Sequence, residues 1–135
     1  MEFTPAEGRR RVAGTDWAAL AAELDDVGCA ATGPLLTPAE CAELAGLYER
    51  PELFRTTVDL ARHRFGSGAY RYFTHDLPAP VAALRGALYP RLLPLARDWA
   101  ARLGRGWSAG ALRHGVSTVR SGRRRTLGLV FHDAG

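Results

Sequence analysis

Residues 114–124 read His-Gly-Val-Ser-Thr-Val-Arg-Ser-Gly-Arg-Arg, and beyond Arg125 the chain enters an apolar stretch, Thr126-Leu-Gly-Leu-Val-Phe131. Ser121-Gly122 is a turn signal, and the apolar run after it has the length of a buried strand. The string therefore sets His114 and Arg124 ten positions apart across a turn. If 123–126 is extended, side chains alternate, so Arg124 faces one way and Arg123 and Arg125 the other. Each part alone has an ordinary reading: a lone histidine is a hydrogen-bonded residue, and three consecutive arginines are a solvated turn. The ordered string is more telling than its parts.

Bulk properties set the frame. With 135 residues, 47% of them hydrophobic and 24% charged, the chain has the make-up of one ordinary globular domain. No apolar run approaches a membrane span, and Met1-Glu2-Phe3 lacks the apolar core of a signal peptide, so a cytoplasmic location is expected. Cys29 and Cys41 form neither a metal pair nor a disulfide framework, and both read as buried free thiols. All eighteen basic residues are arginine, a bias that also fits the abundant alanine, glycine and proline of a GC-rich coding sequence. Residues 1–103 carry 12 Arg and 13 acids, a net −1, whereas residues 104–135 carry 6 Arg and 1 acid, a net +5. A basic end of this kind can attract nucleic acid or anionic metabolites, although a solvated basic turn gives the same count.

Local signals divide the chain. Residues 1–14, with Arg9-Arg-Arg11 near glycines, read as a disordered leader. Thr15 or Asp16 can cap a helix through Trp17–Leu24 that Gly28 stops, and Cys29-Ala-Ala-Thr32 reads as a short strand. Thr37-Pro38-Ala39-Glu40 is a capping box with proline at the first helical position, and its helix runs to about Tyr48, with Pro51 beyond it. The β-branched stretch Phe54–Leu60, a turn at Phe65–Gly68 and Ala69–Phe73 predict a hairpin. Leu84, Leu88, Leu92, Leu95, Trp99 and Leu103 then mark one helical face, and Pro90 and Pro94 within it predict a kink or a break near 90. Residues 104–110, Gly-Arg-Gly-Trp-Ser-Ala-Gly, read as a loop, and 111–114 as a strand. Neither Gly66-Ser67-Gly68 nor Gly104-Arg-Gly106 is long enough for a phosphate loop, and no Gly-x-Ser-x-Gly elbow is present.

A set of motifs goes further. Leu36–Cys41, Leu47-Tyr48, Phe54-Arg55, Phe65-Gly66 with Gly68, Tyr70–Phe73 and Leu77-Pro78 are part of it. So are Leu84-Arg85, Leu88-Tyr-Pro90 and Arg113-His-Gly-Val-Ser117 through Ala134. Together they resemble a bacterial family of iron(II)/2-oxoglutarate-dependent oxygenases, prolyl-hydroxylase-like and sometimes described as acting on damaged DNA. The resemblance covers roughly 16–103 and 111–134. It implies Fe(II) and 2-oxoglutarate as cofactors, His114 as the late iron ligand, and Arg124 as the fork on the distal carboxylate of 2-oxoglutarate. Such sites hold iron by two histidines and one carboxylate. The first histidine and the carboxylate come as His-x-Asp or His-x-Glu, because residues two apart on a strand face the same way.

That half of the site is missing. His63 is followed at the second position by Phe65, His75 by Leu77, and His132 by Ala134. His75-Asp76 and His132-Asp133 are adjacent pairs whose side chains diverge on a strand, and Asp59 with His63 fits a surface ion pair. In the family a long central block carries His-x-Asp and most strands, and here the seam falls in the Gly-rich loop 104–110. A jelly roll needs about eight strands of about five or six residues. Residues 104–135 number only 32 and offer two or three strands.

The expected fold is therefore α+β: N-terminal helices with a β-hairpin, then a remnant of a double-stranded β-helix or jelly roll. The expected organisation is a leader, 1–14, and one truncated oxygenase-like domain, 15–135. That domain comprises a helical region (15–103), the seam (104–110) and a C-terminal strand pair (111–135). Three functional readings follow: a truncated, inactive member of the family with no catalytic residue set; a fragment of an active full-length oxygenase whose gene has been mis-read; or a non-catalytic interaction module. The last would bind nucleic acid through the basic C-terminal segment or self-associate through exposed strand edges, and no membrane partner is expected.

Overall fold

The structure, a computed structural model, describes residues 3–63, 67–104 and 119–130. In chain order it has helices α1 (Pro5–Ala13), α2 (Trp17–Val27) and α3 (Pro38–Gly46), strands β1 (Phe54–Asp59) and β2 (Ala69–Phe73), and helix α4 (Ala79–Leu103). Short 3-10 turns at Leu47–Glu49, Pro51–Leu53 and Ala61–His63 join them. The α+β class is as expected. Among the described residues the one sheet is the antiparallel pair β1–β2.

Residues 5–13 are not a disordered leader. Thr4-Pro5-Ala6-Glu7 carries the same start signal as Thr37-Pro38-Ala39-Glu40, and both threonine hydroxyls accept a hydrogen bond from the glutamate amide at 3.2 Å. Around Thr37 the box is complete, because Glu40 Oε2 accepts from the Thr37 amide at 2.9 Å. In α1, Glu7 turns instead to its own helix and accepts from Arg10 and Arg11. Two of the three arginines of the run thus pair with a carboxylate of their own helix. Arg11 also reaches α3, where its guanidinium forks the Glu40 carboxylate at 2.6 and 3.0 Å. The same group donates to the Leu35 carbonyl at 2.9 Å and lies 5.0 Å from the Phe3 ring centre.

This cluster sets an acid limit on the fold. Hydrogen bonds from Arg10 and then Arg11 hold the Glu7 carboxyl down to about 2, against 4.5 ordinarily. The Arg11 hydrogen bond, then the Thr37 amide, hold Glu40 at about 2 as well. Both groups bind protons more readily when unfolded, so their stabilisation is complete above 4.5 and is lost as the pH falls toward 2. The expected thermal midpoint is level from neutrality down to about pH 5 and falls steeply below it. Arg11→Met should start lower and show a shallower acid decline; an unchanged decline would exclude the cluster as its source.

α2 begins and ends as its sequence predicts. Asp16 Oδ1 accepts from the Ala19 amide at 3.0 Å. Gly28 ends the helix at φ +80°, a left-handed conformation that costs glycine least. Trp17 donates its indole N–H to the Val12 carbonyl at 2.9 Å, tying α2 to the end of α1. Residues 29–32 form no strand, because no partner ladder lies beside them among the described residues. Cys29 and Cys41 are free but exposed rather than buried: one lies in the loop after the Gly28 cap, the other on an outward turn of α3.

The core lies where α1 packs on the first half of α4. Phe3, Val12, Leu20, Val81, Ala83, Leu84 and Ala87 are buried, and Phe3, Ala83 and Leu84 form its centre, with Leu36 and Leu129 packed against them. α4 is continuous through Pro90 and Pro94, contrary to the expected break. Each proline removes the amide that would bond four residues back. The carbonyls so released belong to Gly86 and Pro90, both exposed, as are the two prolines, so water can take those bonds. The far half of α4 is held by Asp25 of α2, which accepts from the Trp99 indole at 3.0 Å and from Arg102 at 2.6 Å. No helix among the described residues is long and apolar enough to cross a membrane.

The hairpin forms as predicted. Thr56 pairs with Tyr72, Thr57 with Arg71, Val58 with Tyr70 and Asp59 with Ala69, with a bulge between Phe54 and Thr56. Of the turn expected at Phe65–Gly68, residues 65 and 66 lie outside the described residues. The expected closing strand at 126–131 is a correction. Residues 123–130 carry no strand, and no ladder partner flanks them among the described residues. They are held by side chains instead, Leu129 against the core and Arg125 against Tyr48 and Glu49. The bend at Ser121-Gly122 is present, with Gly122 at φ +72°. The seam beyond Gly104, the strand expected at 111–114, and Phe131 lie outside the described residues.

Candidate functional site

The bulge at Arg55 and the two-residue period of β2 decide what the hairpin presents to α3. Phe54 stacks on Phe73 across the ladder with ring centres 4.8 Å apart. Arg71 is half-buried while Tyr70 and Tyr72 stay exposed, as strand alternation requires. Between α3, the hairpin and residues 124–130 runs a groove of about 530 Å³. Its floor is apolar, with Leu36, Leu44, Phe54 and Phe73, and Arg71, Arg124 and Arg125 stand along it.

Tyr48 organises the cationic side. The Arg71 guanidinium carbon lies 4.6 Å from the Tyr48 ring centre and 5.4 Å from that of Phe54. That of Arg125 lies 4.4 Å from the Tyr48 ring. These are cation–π distances, and the rings lower the cost of holding two positive groups close together. Arg71 donates from Nη1 to the Tyr48 carbonyl at 2.6 Å, whereas its Nε–H is buried with no acceptor. Arg125 donates to Glu49 at 3.3 Å, a long and exposed ion pair.

Of the two site residues read from sequence, Arg124 stands on the exposed rim of this groove. His114 lies outside the described residues, so the two are not brought together. Arg124 and Arg125 both line the groove, although strand alternation would have sent them to opposite sides; the absence of a ladder at 123–130 is the reason. His75 is exposed in the bend after β2. Among the described residues no three His, Cys, Asp or Glu side chains gather closely enough to hold a metal. Arg71 and Tyr48 fall within the family-like motifs Tyr70–Phe73 and Leu47-Tyr48, but no site role was read for them from sequence. Arg71, the polar residue between Tyr70 and Tyr72 on a two-sided strand, was the available signal.

Comparison with known proteins gives two kinds of match. A family model described as "Oxygenase, catalysing oxidative methylation of damaged DNA" matches residues 68–105 and, separately, 104–134. These matches support an oxygenase family. The two segments meet at 104–105, where the Gly-rich stretch begins, and the oxygenase-like part includes β2, α4 and the rim arginines. Two uncharacterized proteins of Mycobacterium tuberculosis, from strains CDC 1551 / Oshkosh and ATCC 25618 / H37Rv, are each 60% identical over 38 residues. The shared stretch is 28% of this chain and 16% of each relative, so the chain spans about a sixth of the length of these relatives. No solved structure matches the chain.

Proposed function

We propose that this chain derives from an Fe(II)/2-oxoglutarate oxygenase and does not itself turn over 2-oxoglutarate. One observation carries the reading: none of His63, His75, His114 or His132 has an acid two residues on. A facial iron site needs two histidines and one carboxylate with open positions. Among the described residues the donor groups do not fit iron. In this reading His114 keeps the place of a late iron ligand, and Arg124 the place of the fork on the distal carboxylate of 2-oxoglutarate. The exposed position of Arg124 on a groove rim is compatible with carboxylate capture. Incubating the purified chain with Fe(II), ascorbate and 2-oxoglutarate should release no succinate above the metal-free blank. Metal-dependent succinate would overturn the proposal.

A second reading has its own support in the length of the relatives and the two abutting matches. Here the chain is part of a longer, active oxygenase, and the family description supplies damaged DNA as the substrate class. The intact mass of the protein from its source cell separates the two readings. A mass near 14.6 kDa rejects the second, and a substantially larger one rejects the first.

A further inference from the structure

We infer that the groove between α3 and the hairpin is a binding site for a planar aromatic anion, an arylcarboxylate or aryl phosphate, with Arg71 as its charge partner. This does not rest on the oxygenase reading, in which Arg124 alone meets a small, wholly polar dianion.

Three observations meet here. First, the groove's volume of about 530 Å³ lies in the range of small-molecule sites and far exceeds the needs of a five-carbon diacid. Second, its charge is one-sided. Among the described residues three arginines line it and no Asp or Glu does. Arg125 has an ion pair with Glu49 outside the groove lining, but Arg71 has no carboxylate partner among the described residues. Third, Arg71 is already committed on one edge only. Its Nη1 is engaged by the Tyr48 carbonyl, and the buried Nε–H is left without an acceptor. The free edge of a guanidinium, Nε with Nη2, is the fork that grips a carboxylate or phosphate bidentately. An oxyanion there would satisfy the orphan donor.

The body of the ligand follows from the walls. Tyr70 and Phe73 are among the lining residues, and offset stacking favours a flat aromatic partner over a flexible chain. Tyr70 is 48% exposed, an open ring face that a bound aryl group would cover.

The test is a titration of the whole chain with 2-naphthoate and with its neutral counterpart, 2-naphthalenemethanol, followed by calorimetry and by aromatic NMR shifts. The acid should bind about tenfold or more tightly than the alcohol, the scale of one charge-assisted bidentate pair. The shifts should fall on Tyr70 and Phe73. Arg71→Gln should bring the two ligands within about twofold of each other, and Arg85→Gln, on exposed α4, should leave the preference intact. If Arg71→Gln loses its cooperative melt, the Arg71 Nε–H resonance of the unaltered chain decides: a downfield shift on adding naphthoate, absent with the alcohol, supports the site, and an unmoved resonance overturns it. Equal binding of acid and alcohol, or binding of neither, overturns the inference. So does displacement of naphthoate by 2-oxoglutarate at comparable concentration, which would return the groove to a co-substrate site.

Discussion

Leu84→Ala is expected to cost about 2–5 kcal/mol, the range for a buried leucine whose cavity cannot collapse. Leu84 is 5% exposed and packs with Phe3 and Ala83, and Leu36 and Leu129 close over them. One side chain therefore joins the residue before α1, the loop before α3, helix α4 and the segment that carries the rim arginines. Neighbours drawn from four separate parts of the chain cannot all move inward together, which places the loss toward the upper end. Whole domains are stable by only about 5–15 kcal/mol. For a chain of this size the thermal midpoint should drop by roughly 10–20 °C. Val130→Ala, at a side chain 68% exposed, should change stability by less than about 0.5 kcal/mol. Equal losses at the two positions, measured by urea titration, would refute this placement of the core.

Gly8→Leu is expected to be the next most damaging change. Gly8 is buried in α1, against α4. A Cβ built there would stand 3.3 Å from the Ala83 carbonyl oxygen and 3.3 Å from the Phe3 ring. The carbonyl is helix backbone and yields little. Glycine inside a helix costs about 0.5–1 kcal/mol relative to alanine, so close helix approach is the return for a poor helix former. A leucine would have to push α1 off α4, at about 1–3 kcal/mol or more for overpacking. Gly46→Leu in α3 is the control, because nothing lies within 4 Å of a Cβ there. That substitution should be neutral or slightly stabilising, since leucine is the better helix former. If both variants lose the same stability in chemical denaturation, close approach is not what Gly8 provides.

The parts of the fold that were legible in the sequence are those fixed by neighbours a few residues away. Asp16 and Gly28 bracket α2, Thr37 and Glu40 start α3, and the two β-rich stretches pair with the expected partners. α1 was missed although Thr4-Pro5-Ala6-Glu7 repeats the α3 signal, because the arginine run outweighed it. Arg11 is also paired with Glu40, twenty-nine residues away, and no local window contains that partner. The strand expected at 126–131 had the right composition, but a strand exists only beside a partner, and composition does not supply one. The candidate site divides the same way. Arg124 was visible in its string, whereas Arg71 acquires meaning only when Tyr48 and Phe54 come to lie against it.

The pairing of α1 with α4 also governs how the chain comes to be folded. The core joins Phe3 to Ala83 and Leu84, so it closes a loop of about eighty residues. The hairpin, by contrast, closes over about ten residues. During synthesis the hairpin and the capped turns of α2 and α3 can form as they emerge from the ribosome. The Phe3 and Val12 side chains must wait in water until α4 has been made. Helix α1 is in that interval an unpaired apolar surface, at its most exposed to chaperones and proteases before residues 81–87 arrive.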